Sequence, residues 1–317
     1  MEGVVDFHLR KIFAALADID MCVTEFIRVN EHVMPRKVFT KACPELINEN
    51  TAFSLLGKCA RSIPIRVQLL GSDPELLAAN ARKAALLGAE GVDLNFGCPA
   101  KTVNKNRGGA CLLDDTPLLF DIVSAVREEV PAATPVSAKI RLGYQDRESY
   151  LRNAQAIESA GANELVVHAR SKADGYKPPA YWHYIGNIRR ELSIPVVANG
   201  EIWNVQDFME CKAQSNCEDF MLGRGLLANP GLAAEIRHVA KGAQPVSLNW
   251  SDIAPYLLHF FEETSAAYPR KYMGNRVKQW LHYLQLQFDE AQQLFNAIKR
   301  ERDYERIASE IKNSIDD

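Results

Sequence analysis

The strongest constraint on this chain is an alternation. Short apolar, β-branched runs recur through the first three quarters of the sequence, and most are followed by a stretch with apolar residues at helical spacing. Strands are expected at 22–29, 65–70, 92–95, 136–142, 165–168, 196–198 and 220–222. Helices are expected at 7–17, 74–87, 117–129, 148–159, 182–191 and 205–214. Strand followed by helix, repeated, argues for a parallel sheet with right-handed crossovers. Many of the strands are almost wholly apolar, as in a sheet covered on both faces. A closed barrel of eight β/α units needs one more strand than the pattern supplies. The shortage lies at the start, where Met1-Glu2-Gly3-Val4 leads directly into a helical segment. An open, doubly wound sheet is the alternative.

Near residue 242 the pattern changes. Lys241-Gly242-Ala243-Gln244-Pro245 reads as a linker. Beyond it come three helical stretches, 250–267, 276–287 and 289–300, with no strand signal. The expected organisation is a barrel over 1–242 and an all-α helical domain over 246–317. Apolar residues make up 47% of the 317, enough for a sizeable core. No run is long enough to span a membrane, and the start lacks the basic-then-apolar pattern of a secretory leader. Seven cysteines at irregular spacing suit free thiols in a reducing cytoplasm, with no metal site expected. The net charge of −3 places any nucleic-acid surface in a local basic patch.

The run 92–96 ends in Gly97-Cys98-Pro99, which sets a thiol between two turn-formers at the carboxyl end of a strand. Barrels gather reacting groups there; a turn of this kind can also simply bury a structural cysteine. Gln68, Asn95, Lys139, His168, Arg170, Asn199 and Arg224 fall at or near the carboxyl ends of other expected strands. Lys139 sits mid-strand among apolar neighbours. A buried ammonium needs an anionic partner, either a ligand or a core carboxylate. Asn199-Gly200-Glu201 and Gly223-Arg224-Gly225 follow the last two strands, where glycine-rich loops of this fold hold phosphate. Cys111, in Gly109-Ala110-Cys111-Leu112, has the apolar setting of a packing residue.

The string Asn95-x-Gly97-Cys98-Pro99, with Lys101 and then Gly108-Gly109-Ala110, resembles the signature of the tRNA-dihydrouridine synthases. Met1-Glu2-Gly3-Val4, Val67-Gln68-Leu69, Lys139-Ile140-Arg141, His168-Ala169-Arg170, Asn199-Gly200-Glu201-Ile202 and Gly223-Arg224-Gly225 are similar to that family in the same order, over essentially the whole chain. The tail around Arg276-Val277-Lys278-Gln279-Trp280-Leu281 looks most like the bacterial C-type subfamily. The resemblance implies a (β/α)8 barrel whose first strand, a Leu-Ala-Pro-like run ahead of Met1, is absent from this sequence. A longer natural product, begun upstream, is therefore expected.

The resemblance further implies FMN, with NADPH or NADH as reductant, and tRNA as the partner of a monomeric enzyme that reduces uridine 16 of the D-loop. Cys98 is then the proton donor to uracil. Met1, Glu2, Gln68, Lys139 and His168 belong to the flavin's bed, and Asn199, Gly200, Glu201, Gly223 and Arg224 to its phosphate end. Arg28, Asn95, Tyr176, Arg276, Lys278 and Tyr283 match the RNA-contacting pattern. From Tyr268 to Arg306 eight basic residues face five acidic ones. Arg276 and Tyr283 are seven apart and share a helical face, from which Lys278 is offset. Two other readings use part of this set: a flavin barrel acting on a free pyrimidine-like molecule, and a non-catalytic RNA-binding protein.

Overall fold

Residues 2–47, 53–56, 58–60 and 63–316 are described by the structure, a computed structural model. The chain opens with α1 (Phe7–Leu16), whose N-terminus is capped by Asp6 accepting from the Leu9 N–H. β1 (Cys22–Val23) and β2 (Ile27–Arg28) follow, then α2 (Arg36–Ala42) and a separate antiparallel pair, β3 (Phe53–Leu55) with β4 (Lys58–Ala60). The regular alternation comes next: β5 (Ile65–Leu70), α3 (Pro74–Leu86), β6 (Gly91–Phe96), the short α4 (Lys101–Lys105), α5 (Thr116–Glu129), β7 (Val136–Arg141), α6 (Tyr150–Ser159), β8 (Glu164–His168), α7 (Trp182–Glu191), β9 (Val196–Asn199), α8 (Val205–Ser215) and β10 (Asp219–Met221). Asp73, Asp115 and Asn204 cap α3, α5 and α8, and Pro74 and Pro117 sit in first turns, where a missing N–H costs nothing.

β1 and β2 both pair with β5 and form one interrupted strand position. The break has a local cause. The Thr24 hydroxyl accepts from the Gln68 N–H at 3.0 Å, so a side chain replaces a rung of the ladder. From there the sheet runs β5-β6-β7-β8-β9-β10, parallel throughout. Among the described residues no strand joins β10 to the β1/β2 edge. The sheet nevertheless curves into a barrel. Arg66 on β5 pairs with Glu164 on β8, two strands that are not neighbours in the sheet. Gly91 makes room for it, since a Cβ there would lie 2.9 Å from Arg66 Cγ.

After β10 come α9 (Arg224–Ala228) and α10 (Leu232–Ala240), then α11 (Trp250–Ala267), α12 (Asn275–Leu284), α13 (Asp289–Ile298) and α14 (Tyr304–Asp316). α2, α4, α9, α10 and α14 are helices beyond those expected from sequence, and α14 is the longest of them. Its buried Ile307, Ala308 and Ile311 recur at helical spacing and pack with α11. Two apolar cores result. One joins the strands to their covering helices. The other joins α11–α14 with Leu9, Ile12, Phe13 and Leu16 of α1 and with Leu226 and Leu227 of α9. The first helix of the chain thus packs into the core of its last four.

Candidate functional site

The Cys98 turn is held from several sides. Asn95 Oδ1 accepts from the Gly97 N–H at 3.0 Å, and Arg141 Nε donates to the Gly97 carbonyl at 2.9 Å. The Cys98 carbonyl accepts from the Ala110 N–H at 3.0 Å and from Asn104 Nδ2 at 2.9 Å. Gly109 adopts φ +68°, and a Cβ on it would lie 2.8 Å from the Cys98 carbonyl oxygen. That contact and the left-handed backbone are why the sequence after the cysteine needs a glycine. Cys98 is half-buried, and burial raises its thiol pKa, so the proton stays on sulfur at neutral pH. Cys111 sits beneath, with Sγ 3.3 Å from the Gly108 carbonyl.

Beside this turn, the strand ends bring a group of cations together. Lys139 Nζ donates to Asn199 Oδ1 at 2.8 Å, and Asn199 Nδ2 donates to the Met221 carbonyl. No ion pair between Lys139 and a carboxylate is found among the described residues. Burial lowers its pKa to about 8, and the Arg141 charge adds to that effect. His168 is buried, and burial, with Lys139, Arg141, Arg170 and Arg224 around it, holds its pKa well below the ordinary value. It is therefore neutral, and its Nδ1 has no hydrogen-bond partner. Arg170 is fully buried. It donates to Glu201 and to the Pro179 carbonyl, and its Nη2 is also without a partner. Unpartnered buried polar atoms beside an ammonium that has no ion-pair contact, and only the Asp93 charge at longer range in its favour, are costly alone and suit an acceptor-rich, anionic ligand. A flavin's pyrimidine edge and phosphate are of that kind.

Gly200 lies at φ +112°, so close to His168 that a Cβ would be 3.2 Å from its Cδ2 and Nε2. Glu201, at φ +61°, bridges Arg170 at 2.6 Å and Arg224 at 3.3 Å, and Trp203 Nε1 donates to it at 3.0 Å. Gly223 precedes Arg224 at the start of α9. The Arg224 guanidinium lies 4.7 Å from the Tyr176 ring centre and 5.0 Å from that of Trp203. Tyr176 is 52% exposed, also contacts Arg141 and His168, and so stands at the rim of the same pocket.

Of the other expected residues, Glu2 and Arg28 act electrostatically on Cys98, and those of the tail lie on α12. Met1 lies outside the described residues. Glu2 is exposed and paired with Arg28 at 3.0 Å. Arg276 is on α12, and its guanidinium makes four hydrogen bonds and an ion pair within the chain. It donates to the Gly3 and Val4 carbonyls, to Asp6 and to Gln279. Lys278 donates to the Glu301 carbonyl, and burial lowers its pKa. Tyr283 is half-buried against the helical core. The structure does not bring Arg276, Lys278 and Tyr283 to the strand ends that carry Cys98 and Lys139.

Two site residues escaped sequence reasoning. Arg141 ties Gly97 to the Ser171 and Gly175 carbonyls. The available signal was a second charge two residues after Lys139, hence on the same strand face. Asp93, fully buried in β6, accepts from Gln68 Nε2 and from the Ser137 hydroxyl, each at 2.7 Å. Its signal was a carboxylate inside an apolar run. Among the described residues no cluster could hold a metal ion, and no helix is long and apolar enough to cross a membrane.

Fold and site together define a TIM-barrel-like enzyme with a protonated thiol beside a cationic pocket at the carboxyl ends of its strands. The barrel architecture is shared with a solved structure of TcOYE with pHBA, at TM-score 0.50 and 11% identity over 81% of this chain and 87% of that one. The chain belongs to the dihydrouridine synthase (Dus) family, whose model matches residues 1–316. It is 46% identical to the tRNA-dihydrouridine(16) synthase of Aquipseudomonas alcaligenes, over 97% of this chain and 95% of that protein. The protein of the same name from Pseudomonas syringae pv. tomato is 47% identical over the same shares. Membership in the Dus family makes it a flavin-dependent oxidoreductase.

Proposed function

We propose that this protein reduces uridine 16 in the D-loop of tRNA to 5,6-dihydrouridine, using FMN and, as reductant, NADPH. The observation that carries the reading is the protonated Cys98 thiol beside Lys139, Arg170 and the neutral His168, buried groups with unused polar atoms and, among the described residues, no carboxylate in an ion pair with the lysine. The flavin, when bound, supplies hydride to one carbon of the uracil C5=C6 bond. Cys98 Sγ gives the proton to the other. Lys139 offsets negative charge at the flavin's pyrimidine edge, and Gln68 holds that edge through its amide. Gly200, Gly223 and Arg224 receive the phosphate end, with Glu201 and Asn199 fixing Arg224 and Lys139.

Asn95 orients the target base, which must leave its stack to enter the barrel. Arg28 and Tyr176 meet the RNA at the rim, and the helical unit 246–317 docks its body, with Lys278 and Tyr283 at that contact. The enzyme acts as a monomer in the cytoplasm. The names of its relatives support the substrate and the position. The test is nucleoside mass mapping of unmodified tRNA after incubation with protein, FMN and NADPH. Dihydrouridine is expected at position 16 with the wild type. Cys98→Ala should keep its flavin and its reduction by NADPH yet form no dihydrouridine. Near-normal product from that variant removes Cys98 from the mechanism.

A further inference from the structure

Asp93 has no role in the reading above, yet it is the most deeply buried carboxylate beside the site, 0% exposed. It lies directly opposite Gln68 on β5 and Ser137 on β7, so three adjacent strands contribute to one layer of the barrel. The Ser137 hydroxyl donates to Asp93 Oδ1, and Gln68 Nε2 donates to Oδ2. Gln68 Oε1 then accepts from Asn95 Nδ2 at 2.8 Å, and Asn95 Oδ1 accepts from the Gly97 N–H, one residue before the cysteine. A continuous chain of hydrogen bonds therefore runs Ser137, Asp93, Gln68, Asn95, Gly97.

Amide side chains are ambivalent: each has a donor end and an acceptor end, and either could point either way. Burial raises the Asp93 pKa, while the bonds from Ser137 and Gln68 and the charges of Arg66 and Lys139 oppose that rise, and both of its oxygens accept as a carboxylate's do; a backbone N–H is donor-only. Asp93 at one end and Gly97 at the other leave a single consistent direction for the two amides between them. We propose that Asp93 is a positioning residue: it sets the direction of this chain and so fixes which face Asn95 presents at the Cys98 turn. The inference rests on the reading of Asn95 and Cys98 as substrate-facing groups.

Asp93→Leu is similar in shape and replaces a buried charge by an apolar group, so the fold is kept. It removes the acceptor that holds Gln68 Nε2. Gln68 can then turn over, Asn95 follows, and the Asn95 amide meets the Gly97 N–H donor to donor. Asp93→Asn would not break the chain, because its amide can keep an oxygen toward Gln68 and its nitrogen toward the Ser137 hydroxyl, which can accept. Ser137→Ala is the control, since it removes one bond to Asp93 and leaves the direction intact. The measurements are hydrogen exchange at the Gly97 amide and steady-state turnover with unmodified tRNA. In Asp93→Leu, Gly97 exchange should quicken about tenfold or more, and kcat should fall about tenfold or more with KM for tRNA unchanged. In Ser137→Ala, both should stay within about twofold of wild type. Should Asp93→Leu not fold, Gln68→Met cuts the same chain one link later and carries the same exchange expectation.

Wild-type exchange at Gly97 in these variants overturns the proposal, as does a parallel fall in Ser137→Ala. If the exchange responds as expected and the wild type forms no dihydrouridine, the positioning role stands and the functional reading fails.

Discussion

Lys139→Met separates what the lysine does for the fold from what it does for the flavin. The ordinary lysine value is 10.5, and in the folded chain it drops to about 8. At about 1.4 kcal/mol per pH unit, keeping the ammonium charged inside the folded protein costs about 3 kcal/mol at neutral pH. The sign follows from proton counting. Between pH 8 and 10.5 the unfolded chain holds a proton that the folded chain has released, so stability rises with pH across that window. Below pH 8 the whole cost stands. Methionine fills similar volume without charge, and its own cost is the lost bond to Asn199 Oδ1, about 1 kcal/mol. The flavin-free variant should be more stable than flavin-free wild type by about 2 kcal/mol, a few degrees in melting temperature. FMN affinity should fall about 10- to 100-fold, because a charged hydrogen bond is lost. Urea unfolding of flavin-free protein at pH 7 and at pH 10 reads the first effect, and fluorescence titration with FMN the second. At pH 10 the stability gap should shrink. A flavin-free variant less stable than wild type, or one that binds FMN as tightly, refutes the reasoning.

Gly109→Ala forces a side chain onto φ +68° and against the Cys98 carbonyl oxygen, a strain of about 1–2 kcal/mol before any clash; it should lower the melting temperature and product formation while FMN content, read by absorbance, is kept. Arg224→Ala should lower FMN occupancy in purified protein, and unchanged occupancy would move the phosphate site elsewhere. Glu263 anchors α11 to α1 through His8 and Lys11 and pairs with His259 one turn back on its own helix; the hydrogen bond from His8, aided by Lys11, holds its pKa at about 2. Its folded value is depressed, so its contribution is complete above the ordinary 4.5 and is lost as pH falls toward 2. Glu263→Gln should therefore lower the melting temperature at pH 7 and lose that difference near pH 2.

The barrel was legible because its strands are buried on both faces and read as apolar runs. 65–70 was bounded to the residue, and 92–95 and 165–168 to within one at either end. The single run 22–29 was not broken in sequence terms, because the break depends on the Thr24 hydroxyl meeting a neighbouring strand. The gathering of Lys139, His168, Asn199 and Arg224 was legible from strand ends alone. What those groups do to one another was not. Arg141 and Asp93 matter through bonds to residues 25 to 44 positions away, and sequence spacing does not carry such partners. α14 was missed although its stripe of Ile307, Ala308, Ile311 and Ile315 is helical. Charged residues surround the stripe, and its partner lies on α11, far back in the chain.

The clearest gap between sequence and structure concerns Arg276, and it yields a prediction in which two neighbouring cations part company. The family resemblance offers both Arg276 and Lys278 as RNA-contacting residues, with Lys278 offset around the helix. In the fold, the Arg276 side chain is 14% exposed, and every guanidinium nitrogen is already engaged with Gly3, Val4, Asp6 or Gln279, so the group is committed to the fold. It pins the segment ahead of α1 to α12, and through α1 the core of the helical unit. Lys278 uses one of three donors, on the Glu301 carbonyl, and keeps two. Arg276→Ala should lower the melting temperature, since the part-buried Asp6 carboxylate loses its ion pair and the Gly3 and Val4 carbonyls lose a donor. Measured well below that temperature, the salt dependence of its tRNA affinity should match wild type. Lys278→Ala should show the reverse: little change in melting, and a slope of log affinity against log salt shallower by about one counterion. Equal flattening of the slope in both variants would mean that Arg276 gives up its internal bonds when RNA arrives, and the assignment of that arginine to the fold alone would be wrong.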